Sequence, residues 1–183
     1  MAITVSDFDF ESVVRRLPSR EKATIAASRA INRAMTAGRV QATREITKEY
    51  AVKARQVNAK LTTSRATRNN LEASLTWRGH ALNLAEFRVN PRKPQPARRP
   101  LLRALVKRSS GYVPFKRAFM VSSNGLAYRR VTGASRYPIT QVWGPSIPNL
   151  LGAKTVQEAV ESRAKEVLES RLDHEISRML EGK

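Results

Sequence analysis

The segment Ser19-Arg20-Glu21-Lys22-Ala23-Thr24-Ile25-Ala26-Ala27-Ser28-Arg29-Ala30-Ile31-Asn32-Arg33-Ala34-Met35 sets the architecture of this chain. It follows Pro18, and it reads as the opening of a long helix. The Ser19 hydroxyl can accept free backbone N–H groups, and Glu21 lies near the positive helix end. Apolar positions recur at Ala23, Ala27, Ala30, Ile31, Ala34, Met35, Ala42 and Ile46, which is helical spacing. Arg29, Arg33, Arg39, Arg44 and Lys48 fall largely off that stripe. The pattern predicts a helix to about Tyr50, about 45 Å long at 1.5 Å per residue. A stripe this rich in alanine requires a neighbour at close range. That neighbour is a sheet under a core helix or, alternatively, a subunit seam.

Outward from this helix the pattern changes twice. On its N-terminal side, residues 6–17 form a short amphipathic piece with Phe8, Val13, Val14 and Leu17 apolar. On the other side a helical stretch at 54–61 is broken by Thr62-Thr63-Ser64. Leu71, Ala73, Leu75 and Trp77 then alternate with polar residues, Gly79-His80 makes a turn, and Leu84, Ala85, Phe87 and Val89 continue as a second strand. Residues 91–100, Pro-Arg-Lys-Pro-Gln-Pro-Ala-Arg-Arg-Pro, hold four prolines. Proline lacks an N–H and restricts its predecessor, so an extended basic loop or arm is expected over 91–110. Phe119-Met120-Val121 and Leu126, Tyr128 and Val131 flank Asn124-Gly125, a pair that supplies positive φ cheaply and marks a hairpin. Tyr137-Pro138-Ile139 and residues 142–148 read as a rigid connector. Thr155-Val156-Gln157-Glu158 reads as a capping box. It opens a C-terminal helix over 155–182 with Val156, Val160, Ala164, Val167, Leu168, Leu172, Ile176 and Met179 as its stripe. The expected fold is α+β: a long N-terminal helix and a C-terminal helix packed on a small antiparallel sheet, in one domain over 1–183.

Composition narrows the function. The 183 residues carry 34 Lys+Arg against 15 Asp+Glu, a formal net charge of +19, two histidines and no cysteine. Disulfides, thiolate metal sites and thiol nucleophiles are excluded. His80 and His174 are isolated, and no Gly-rich phosphate loop, His-Glu-x-x-His or Gly-x-Ser-x-Gly is present. No catalytic residue, metal or cofactor is assigned, and the chain is expected not to be an enzyme. No apolar run approaches the roughly 20 residues that span a bilayer, so no membrane partner is expected. Met1-Ala2-Ile3-Thr4-Val5 lacks the basic start and apolar core of a signal peptide.

The charge is segregated. From Phe87 to Gln157 there are 14 bases and no acid in 71 residues, whereas the last 26 residues hold seven acids and five bases. Bases without nearby acids repel one another, meet an acidic partner, or are simply solvated. The residues expected to contact DNA or an acidic partner are Arg92, Lys93, Arg98, Arg99, Arg103, Lys107, Arg108, Arg129 and Arg130. The acids of the terminal helix, Glu175 among them, read as ordinary solvated pairs such as Glu175 with Arg178.

Several of these segments together carry a resemblance. They are Ala30-Ile31-Asn32-Arg33-Ala34 within the long helix, the basic stretch 53–68, Ala118-Phe119-Met120-Val121 with Asn124-Gly125, Tyr128-Arg129-Arg130-Val131, Arg136-Tyr137-Pro138-Ile139 and Gly144-Pro145-Ser146-Ile147-Pro148. In this order and spacing the chain resembles the minor tail protein Z family of long-tailed phages and prophages, from about residue 22 to the end. The resemblance implies a structural virion protein, assembled in the bacterial host cytoplasm. It would complete the tail at its head-proximal end as a sixfold ring between the tail terminator and the head–tail connector. It implies joining of tail to head, contact with the tape-measure protein, and holding of the genomic DNA end. Trp143, Pro145, Ile147, Leu168, Leu172 and Ile176 are the expected subunit or neighbour contacts. The alternative, suggested by charge alone, is a free-standing sequence-nonspecific nucleic-acid-binding protein. Against it stand few aromatic residues and no helix-turn-helix or zinc-finger pattern.

Overall fold

The computed structural model describes residues 2–5, 9–94, 101–121, 125–131 and 136–181. Strand β1 (Ala2–Val5) precedes helix α1 (Phe10–Arg16), where the Asp9 carboxylate accepts the Ser12 N–H at 3.2 Å as the cap. Ser19 Oγ accepts the Lys22 N–H at 3.2 Å, and behind it α2 runs unbroken over Arg20–Glu49. Helix α3 (Ala54–Ala59) and strands β2 (Leu61–Ser64), β3 (Ala73–Trp77), β4 (Ala81–Asn83) and β5 (Arg88–Asn90) follow. Then come β6 (Arg103–Leu105), β7 (Val113–Pro114), β8 (Ala118–Met120), β9 (Ala127–Arg130), β10 (Ile139–Gln141) and β11 (Trp143–Ser146). Helices α4 (Ile147–Leu151) and α5 (Lys154–Leu180) close the chain. The fold is therefore mixed helix and sheet, with a long N-terminal helix, a C-terminal helix and small antiparallel sheets.

The chain divides into two compact units. Residues 1–43, 61–78 and 151–183 make the first. Its sheet has the order β1-β3-β2, both neighbours antiparallel to the central β3, whose Ala73, Leu75 and Trp77 are buried. The alanine stripe of α2 is fully buried, and a Cβ built on Gly38 would lie 3.5 Å from Val160 and 3.8 Å from Ala164. The close neighbour demanded by the stripe is thus α5 at this level. Near the other end of α5, Ile176 joins Val13, Leu17, Ala23 and Ala26 in one cluster, with Leu172 and Met179 packed against it.

Residues 44–60 and 79–150 make the second unit. It holds a β5-β6-β7 sheet, a β10-β9-β8 sheet and the β11-β4 pair, all antiparallel. Leu84, Val89, Leu102, Ala104, Met120, Ala127 and Val142 form its core. Asn83, 2% exposed, ties the parts together: its Oδ1 accepts the N–H of Ala127 at 2.9 Å and of Ala85 at 3.0 Å, and its Nδ2 donates to the Ala127 carbonyl.

Five expectations are corrected here. Thr62-Thr63-Ser64 does not merely end a helix. With Leu61 it pairs residue by residue with β3 as an edge strand, where β-branched threonine suits a wet face. Residues 84–89 are not one strand hairpinned to β3, because Asn83 and Glu86 cap a 3-10 turn over Leu84–Glu86 and break the alternation. The loop over 91–110 is not extended throughout. Residues 95–100 lie outside the described residues, but β6 is the central strand of its sheet and Leu102 and Ala104 are core, since the proline restriction ends at Pro100. The connector over 137–148 is two strands, β10 and β11. Helix α5 begins at Lys154 with Ala153 as its cap, so Thr155 lies inside the first turn and makes no capping box. The hairpin at β8–β9 is present as read, with Gly125 at φ +64°.

Replacing Asn83 with alanine strands the buried N–H groups of Ala127 and Ala85, while the Ala127 carbonyl keeps the Val142 N–H at 3.0 Å. The expected loss is about 2–3 kcal/mol. It should appear as a lower urea midpoint with an unchanged slope.

Candidate partner-contact surfaces

The basic residues singled out from the sequence divide into three groups. Arg92, Lys93, Arg103, Arg129 and Arg130 are exposed. Arg103 sits on β6 opposite Asn90 and Pro114, on the face away from buried Val89 and Ala104. Arg130 lies over the Phe119 ring, 5.8 Å from its centre, which holds the guanidinium flat against the β8–β9 hairpin. Arg98 and Arg99 lie outside the described residues. Lys107 and Arg108 are already engaged. Lys107 Nζ is 3.0 Å from Glu49, and Arg108 Nε donates to the Thr47 carbonyl at 3.0 Å in the last turn of α2. Alongside them the Ala51 N–H donates to the Val106 carbonyl at 2.9 Å. These two bases fasten the end of α2 rather than belonging to a mobile arm, because its terminal carbonyls need donors. An acid outside the acid-free stretch thus serves a base within it.

This junction is sensitive to alkali. Glu49 holds the Lys107 ammonium above its ordinary 10.5, through their hydrogen bond and then its charge. Burial, followed by the charge of Glu49, also raises the Tyr50 phenol above 10.0. A raised folded-state value means that the contribution is complete below the unfolded value and lost as pH climbs through the folded one. Between about pH 6 and pH 10 the difference in thermal midpoint between the parent and Glu49→Gln should therefore be constant, and it should close above that range. A difference that does not close as pH rises through the alkaline range would refute this assignment.

The expected neighbour contacts are also divided. Trp143 is 55% exposed, on a strand whose register with β4 shifts between Trp143 and Ser146. With Phe115, Lys116 and Arg129 it lines an open cleft of about 530 Å³. Pro145 is half-buried. Ile147, Leu168 and Ile176 are at most 4% exposed, and Leu172 packs into the α1–α5 cluster. Ile147, Leu168 and Ile176 are thus core residues rather than free surface, and Leu172 is half-buried against that cluster. Leu168→Ala should accordingly cost about 2–5 kcal/mol in denaturant titration, whereas Trp143→Ala should stay within about 0.5 kcal/mol of the parent.

One cluster was not foreseen. Arg29 and Arg33 of α2, Arg65 just after β2, and Arg178 of α5 surround Glu175 in an open cleft of about 500 Å³ in the first unit. Arg29 and Arg178 both reach Glu175 Oε2, at 3.4 and 3.1 Å, and the Glu175 side chain is only 13% exposed. The pairing with Arg178 is as read, but the glutamate is not a solvated one. The i, i+4 spacing of Arg29 and Arg33 and the i, i+3 pair of Glu175 and Arg178 were the local signs of this cluster; tertiary folding brings the two pairs and Arg65 together.

Among the described residues no group of three or more His, Asp or Glu is placed to hold a metal ion, and no helix is long and apolar enough to cross a membrane. A family model described as prophage minor tail protein Z (GPZ) matches residues 10–182. The chain belongs to that family. Membership in the minor tail protein Z family gives it a structural role in a phage tail, and hence interaction with other virion components. No curated protein and no solved structure gives a significant match.

Proposed function

We propose that this minor tail protein completes the tail at its head-proximal end. Copies assemble there as a sixfold ring that meets the tail terminator on one side and the head–tail connector on the other. The genomic DNA end, and the tape-measure protein below it, lie within reach. One observation carries the reading beyond family membership. Every described base from Arg88 to Arg136 is exposed, and no acid lies among them. Several stand on small sheets, so the charge is presented on ordered backbone: Arg88 and Arg103 on β5 and β6, Arg129 and Arg130 on β9. A surface of this kind suits a phosphate backbone read without regard to sequence. Family membership favours this reading over a free-standing nucleic-acid-binding protein.

The test substitutes Arg92, Lys93, Arg98, Arg99, Arg103, Arg129 and Arg130 with glutamine and keeps Lys107 and Arg108, which secure α2. The variant should fold. It should flatten the dependence of DNA affinity on salt, where each duplex phosphate neutralised contributes a log–log slope of about −0.9. Phage carrying it should accumulate unjoined heads and tails in electron micrographs. Normal plating with an unchanged slope would reduce these bases to a solvated face. Absence of the protein from purified virions would favour the free-standing alternative.

A further inference from the structure

We infer that the arginine cleft of the first unit is a phosphate-binding site, independent of the bases assigned to DNA above. Its geometry is built from three distant segments. The Asn32 amide donates to the Ala66 carbonyl at 2.9 Å and accepts the Ala66 N–H at 3.0 Å. This two-point clamp fixes the backbone next to Arg65 against α2, one turn from Arg29 and next to Arg33. Glu175 supplies the third side by holding Arg178 and Arg29 on a single carboxylate oxygen.

Four arginines and one carboxylate thus line the cleft, which leaves an excess of positive charge there. Arg33 and Arg65 have no ion pair among the described residues. The Nε–H of Arg178 is buried with no acceptor. That donor is closed off from the cleft, so the charge open to an anion is that of the exposed Arg33 and Arg65. Donors arriving from α2, from the segment after β2 and from α5 come from three directions. A planar carboxylate accepts well from two in-plane forks. A tetrahedral phosphate offers oxygens in all of these directions and can take bidentate arginines. The chemistry therefore favours phosphate over an acidic side chain. Free phosphate and the phosphates of a nucleic-acid strand are the two sources.

Calorimetric titration of the full chain at fixed ionic strength tests this. Inorganic phosphate should bind saturably at one site, and acetate should not. Arg33→Gln combined with Arg65→Gln should weaken phosphate at least about tenfold, while the charge-matched Lys165→Gln with Arg171→Gln on α5 should stay within about twofold. Arg65→Lys, which keeps charge but removes the fork, should fall between them. Duplex DNA that displaces phosphate identifies a strand as the source, and failure to displace it identifies the free ion; either supports the site. Equal losses in the two double variants would overturn the proposal. So would no loss in Arg65→Lys, or displacement by a glutamate-rich peptide at lower concentration than phosphate. None of these readouts depends on head joining.

Discussion

The close approach that α2 permits is the constraint on which the first unit rests. Glycine at 38 lets Val160 and Ala164 of α5 come close, and Ala23 and Ala26 share a cluster with Ile176 of α5. Alanine contributes little area per residue, and the apolar volume is supplied from the other side by Val156, Val160, Leu168 and Ile176. The same helix gives Ile46 to the buried residues of the second unit, and its last turn is fastened by Lys107 and Arg108.

The acids show why so basic a chain folds. Glu49 meets Lys107, Glu175 joins two arginines, and Glu86 accepts both the Asn83 N–H and the Gln56 amide. Each of these is partly shielded and placed where a backbone end or a helix contact needs it. The outlying pairs, such as Arg16 with Asp173 and Arg68 with Glu21, are exposed and contribute little. The excess charge that faces outward follows from composition, 34 bases against 15 acids, with the bases from Arg88 to Arg136 left without an acid among them.

What was legible in the sequence was what is local. The 3.6-residue stripes gave α2 and α5, Ser19 gave the start of α2, and Asn-Gly gave the β8–β9 hairpin, because each depends on neighbours along the chain. The strands β2, β6, β10 and β11 are three or four residues long, too short to display a period of two, and β11 pairs with β4 across some sixty positions. No short-range period exposes such pairings. The same distinction governs the candidate sites. The bases of the second unit were visible as residue types, but that Lys107 and Arg108 are tied down and that Ile147, Leu168 and Ile176 are core and Leu172 half-buried follow only from packing. The arginine cleft depends on an amide that reaches 34 positions along the chain.

That amide has a physical consequence of its own. Asparagine neither gains nor loses charge, and its two bonds to Ala66 are part-buried, so neither acid nor salt loosens them at the strengths that dissolve surface ion pairs. The placement of the segment beside Arg65 and the attraction the arginines exert are therefore governed by different variables. Raising ionic strength dims the cleft's field while leaving its outline intact, so it can discharge a bound anion and take it up again without refolding.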